Sequence, residues 1–102
     1  MRYILLISLT IIFNKFSYAD ESILSSADID YGEYLSGECV ACHKKNAANE
    51  AIPSIHGKDA DIIVALLVAY RAKDMENEVM QMVAGRLDDE QIGSLAVYFS
   101  KN

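Results

Sequence analysis

The chain has 102 residues, with nine basic against 15 acidic side chains and a formal net charge of −6. That length holds a single domain, and that charge argues against nucleic acid or an anionic membrane surface as partner. Hydrophobic residues make up 52% and Trp is absent, so a domain this small has a thin core and needs a staple.

The first segment reads as an export signal. Met1-Arg2 gives a positive start, Tyr3 to Phe13 is almost wholly apolar, and Ser17-Tyr18-Ala19 sets small residues before Asp20-Glu21. This pattern predicts a signal peptide over 1–19, cleaved after Ala19. The apolar run falls short of the about 20 residues a membrane span needs. The mature domain over 20–102 is therefore expected in the periplasm, with no membrane span. Cleavage removes Arg2 and Lys15 but no acidic residue, so the mature domain is more acidic still.

Ser25-Ser26 offers a helix cap, with Asp28 and Asp30 in a favourable acidic first turn. Gly32, Leu35, Ser36 and Cys39 recur at i, i+3, i+4 and i+7 and form one stripe. A mid-helix Gly costs about 1 kcal/mol relative to Ala. Its use at position 32 is to let another helix approach.

The stripe runs into Cys39-Val40-Ala41-Cys42-His43, a C-x-x-C-H pentad with the spacing of c-type haem attachment. Two thiols three residues apart can each form a thioether to one vinyl group of a single haem. The His that follows then falls beneath the porphyrin, where it can ligate the iron. A redox dithiol needs a βαβ setting, and a zinc site needs a second Cys/His pair; the chain shows neither. Both cysteines lie in the pentad, so no structural disulfide is left. A covalently held haem would be the staple.

Residues 44–59 have no sustained period and contain Asn46, Asn49, Pro53 and Gly57, which predicts a loop wrapping one face of the haem. For His43 to offer Nε2 to iron, Nδ1 must carry the proton, and that proton needs an acceptor. The Pro53 carbonyl is the candidate. A helix should start at Asp59 or Asp61, with Ile62, Ile63, Leu66, Leu67 and Tyr70 as a broad buried face. It ends in the charged segment 71–78. Val79 to Leu87 reads as a short helix or turn carrying Met80 and Met82. In the last helix Asp88 is the N-cap, Gln91 completes a capping box, and Leu87 and Ile92 form a hydrophobic staple. Its buried stripe is Ile92, Leu95, Ala96 and Phe99. With no alternating pattern anywhere, the fold class is all-α, with three to four helices.

The second axial position stays open on spacing alone, between Met75, Met80, Met82 and His56. Met75 sits in a charged segment, which disfavours it. Thioether ligation opposite His raises the reduction potential and suits electron transfer.

The apolar helix, the pentad Cys39–His43, Ile52-Pro53-Ser54-Ile55, Ala69-Tyr70-Arg71, Val79-Met80 with Ala84, Leu87-Asp88-Asp89-Glu90 and Leu95-Ala96-Val97-Tyr98-Phe99 follow in an order that resembles class I c-type cytochromes. Within them the chain is similar to cytochrome c4, the small cytochromes c553 and the cytochrome subunit of flavocytochrome c sulfide dehydrogenase. The resemblance spans Gly32 to Phe99. It implies a class I cytochrome c fold wrapped around one covalently bound haem c. It places the axial Met on Met80, the loop proline on Pro53, and the packing of first helix on last at Gly32 against Leu95 and Tyr98. Lys44 departs from the Gly that usually follows the ligand His. Lys73-Asp74-Met75-Glu76 departs from a segment that often holds Gly and a basic residue.

The function so implied is one-electron transfer, with no catalytic site on this chain. Tyr31-Gly32-Glu33-Tyr34-Leu35 resembles the lead-in of the sulfide dehydrogenase subunits, which implies an FAD-containing partner subunit. The alternative is a free shuttle to a terminal oxidase or reductase. A haem-based sensor or peroxidase-like enzyme would need an open iron site, which Met80 as ligand disfavours.

Overall fold

The computed structural model describes residues 16–46 and 51–102. The signal expected over 1–19 falls largely outside them. The described residues form helices and no strand, in six segments rather than three or four.

The last helix, α6 (Asp89–Lys101), organises the rest. The Asp88 carboxylate accepts from the Gln91 N–H at 2.8 Å, and the Asp88 N–H donates to Gln91 Oε1 at 3.0 Å. This reciprocal box satisfies two N–H groups that the helix geometry leaves unpaired. Ile92, Leu95, Ala96 and Phe99 are at most 2% exposed and form the spine of the core.

Helices α1 (Phe16–Ser25), α2 (Ile29–Leu35) and α4 (Ala60–Arg71) pack onto this spine. The cap of α2 is Asp28, not Ser25 or Ser26: its carboxylate accepts from the Asp30 and Tyr31 N–H groups. Ser25 closes α1 instead, and Ile23 of α1 is buried against α6. Helix α2 sits directly on α6. A Cβ built on Gly32 would run into the Ser94 carbonyl and the Tyr98 Cβ. The close contact is thus with Ser94 and Tyr98 rather than Leu95 and Tyr98. The Asp28 N–H donates to Ser94 Oγ at 3.0 Å, and Gln91 Nε2 donates to the Tyr31 hydroxyl at 3.1 Å. These two bonds lock the crossing.

Helix α4 differs from its expected face. Ile63 and Val64 are buried, while Ile62 and Leu66 are 48% and 37% exposed. The stripe is broad because it meets two surroundings: Ile63 and Val64 enter the core, whereas Leu66, Leu67 and Tyr70 face a cavity. Past its C-terminus, the Asp74 N–H donates to the Ala69 carbonyl and the Lys73 N–H to the Tyr70 carbonyl. This is a Schellman closure, and Lys73 takes the left-handed position (φ 62°) where Gly is usual. Arg71 then ties the end of α4 to α6, donating to the Leu87 carbonyl at 3.2 Å and to Asp89 at 2.8 Å.

Candidate functional site

The pentad lies at the end of a nearly continuous helix. Ser36 keeps helical dihedrals between α2 and α3 (Gly37–Val40). The Cys42 and His43 N–H groups both donate to the Cys39 carbonyl, at 3.2 and 2.8 Å. The helical turn therefore continues through His43. Residues i, i+3 and i+4 of such a turn share one face, so Cys39, Cys42 and His43 line the same cavity.

That cavity has a volume of about 330 Å³, within the about 300–1,000 Å³ usual for small-molecule sites. The walls are mainly apolar, with Ile63, Leu66 and Leu67 from α4 and Phe99 from α6. Met80 enters from α5 (Glu78–Gly85), the fourth wall. It sits in the first turn of α5, where its N–H donates to the Asn77 side-chain oxygen at 3.0 Å. Asn77 is the N-cap, so the cap and the candidate ligand are fixed together. Asn-Glu ahead of an apolar run is a cap signal that the charged segment 71–78 obscured.

His43 Nδ1 lies 2.7 Å from the Pro53 carbonyl oxygen. A carbonyl can only accept, so Nδ1 carries a proton, and in the neutral imidazole Nε2 then keeps its lone pair. Of the other candidates, Met82 is 57% exposed on α5. Met75 does not line the cavity; its carbonyl accepts from Gln81 Nε2 at 2.8 Å. His56 packs edge-on against Phe99, with ring centroids 5.1 Å apart, and its buried ring nitrogens have no partner. It too is not among the residues lining the cavity. The structure thus brings together Cys39, Cys42, His43, Pro53 and Met80, and leaves Met75, Met82 and His56 aside. Tyr70, Lys58 and Asn77 also reach the wall.

Both cysteines are free thiols. Burial pushes the Cys39 thiol above its ordinary range, and the nearby Glu38 carboxylate adds to this. A redox dithiol needs the opposite, a thiol held low so that the thiolate is abundant. Among the described residues no three His, Cys, Asp or Glu side chains converge as a metal cage would require. A porphyrin iron asks the protein for only two axial atoms. The residues present fit such a group: an apolar cavity, two thiols one turn apart on its wall, an imidazole with Nε2 free, and a thioether.

No protein-family model matches the chain, and comparison with curated proteins gives no match.

Proposed function

We propose that this protein is a one-electron carrier holding a single haem c, attached through Cys39 and Cys42 and ligated by His43 and Met80. The observation that carries the reading is that these four side chains line one apolar cavity, with the His43 tautomer set by the Pro53 carbonyl. Haem would supply an Fe(III)/Fe(II) couple. The chain's own part is to hold the ligand atoms still, exclude water and tune the couple. The Pro53 carbonyl orients the imidazole and raises its basicity. The Asn77 cap holds the first turn of α5, and with it Met80. A thioether ligand and an apolar enclosure both favour Fe(II). No bond-making step on substrate is assigned to this chain.

By its resemblance, the finer reading is a periplasmic subunit that accepts electrons from an FAD-containing, sulfide-oxidising partner. A free shuttle to a terminal oxidase or reductase is the alternative. The test is expression of the full chain with haem-attachment machinery, read by the mass of the mature chain and by spectra. Processing after Ala19, one covalent haem, and a ferric methionine-to-iron charge-transfer band lost in Met80→Ala are expected. A band that survives Met80→Ala overturns the ligand assignment. Rapid carbon monoxide binding by the ferrous wild type would favour a sensor or enzyme. Co-purification of a flavoprotein, against none, separates subunit from shuttle.

A further inference from the structure

Among the described residues the cavity wall carries one lysine and no arginine. Lys58 lines it alongside the apolar residues. Lys58 makes no ion pair among the described residues, where the one pair is Arg71–Asp89. In a chain with 15 acidic and nine basic side chains, this exposed ammonium beside an apolar cavity is placed to meet an anionic group on whatever fills it.

Its location in the cavity is specific. Arg71, at the C-terminal end of α4, bonds the Leu87 carbonyl. Leu87 and Cys39 border both this cavity and the neighbouring groove, so the thiol end of the cavity lies by the C-terminus of α4. Lys58 precedes the N-terminus of α4 by two residues. A 12-residue helix is about 18 Å long, so Lys58 stands at the opposite end of α4 from Arg71 and Leu87. The backbone just before it is held in place. Gly57 adopts φ 77°, which a side chain would resist, and its N–H donates to the Phe99 carbonyl at 2.8 Å.

A haem tethered by its vinyl edge directs its two carboxylates toward the opposite edge. Resting on the haem reading above, we propose that Lys58 is the counter-ion of a haem carboxylate and a determinant of the reduction potential. A carboxylate beside apolar walls is costly unless it is paired and hydrogen-bonded. The ammonium would hold it ionised and offset its negative field at the iron, which favours the reduced state.

The test compares wild type, Lys58→Gln and Lys58→Arg, each produced with covalent haem, by redox titration across pH. Lys58 is exposed, so these changes leave the core intact. In Lys58→Gln the equilibrium should move about threefold toward Fe(III), which at about 59 mV per tenfold for one electron is a fall of about 28 mV. The pH-dependent step in the potential should also move to higher pH, as the carboxylate loses its cation. Lys58→Arg should keep the wild-type potential and pH profile, and the methionine band should persist in all three. Unchanged potential and pH profile in haem-loaded Lys58→Gln overturns the role of Lys58 and leaves the function standing. A wild type that takes up no haem overturns both.

Discussion

Replacing Gly32 by Ala tests the contact on which the fold turns. In isolation the change should help, because Ala is better than Gly in a helix by about 1 kcal/mol. The structure reverses the sign. The new methyl would meet the Ser94 carbonyl and the Tyr98 Cβ, and neither group can swing aside by rotating a side chain. Helices α2 and α6 must separate, straining the Asp28–Ser94 and Gln91–Tyr31 bonds. Overpacking costs about 1–3 kcal/mol, and the upper end applies against rigid atoms. About 2 kcal/mol of net destabilisation remains once the helix preference is set against it. At about 4–8 °C per kcal/mol for a domain of this size, Tm should fall by about 8–16 °C. Gly37→Ala is the internal control. Nothing lies within 4 Å of a Cβ there, so it should be neutral or stabilise by up to about 1 kcal/mol. Urea unfolding of both variants, with unchanged m, is the assay. If Gly32→Ala is as stable as Gly37→Ala, the close crossing is refuted. Because α2 leads into the pentad, the displaced helix should also carry Cys39 away from Met80.

Lys73→Gly should stabilise the chain by about 0.5–1 kcal/mol in urea unfolding, since Lys73 holds a left-handed conformation that only Gly adopts freely; a loss of stability would count against the Schellman closure. Asp88→Ala should cost about 1 kcal/mol and Asp88→Asn much less, because the capping oxygen is what matters; equal losses would shift the effect from capping to charge. In the haem-free chain the Cys39 thiol is raised by burial and by Glu38, so its thiolate forms later as pH rises. Alkylation of Cys39, followed by mass spectrometry, should keep accelerating at pH values where an ordinary thiol has levelled off; an early plateau would contradict the buried setting.

What could be read in advance was what depends on local pattern. Asp88 and Gln91 form the expected box, and the α6 stripe is buried residue for residue, because capping and helical period are properties of neighbours in sequence. Gly32 was legible as a point of close approach, but the atoms it approaches depend on the crossing angle, which brings in Ser94. The sequence pattern sets Asp28 inside a helix that it in fact caps, since Ser25-Ser26 gives an equally good local signal; the core position of Ile23 decides between them. Ile62 and Leu66 look alike in a hydrophobic stripe, and only tertiary structure tells the core side from the cavity and solvent sides. The gathering of His43, Pro53 and Met80 joins three separated segments, which no single local period specifies.

The bonds that lock α6 to α2 link residues 66 and 60 positions apart. Contacts so remote in sequence close late, because the intervening chain must first give up its freedom. Helix α6 is also made after every helix it packs against. Until it arrives, Ile23, Ile63 and Val64 have no spine to cover them, and the cavity beside Cys39 lacks the wall of Leu95 and Phe99. Cys39, half-buried once the chain has folded, is thus more accessible before α6 docks than after. Attachment of the proposed haem at Cys39 would therefore be easiest before α6 docks.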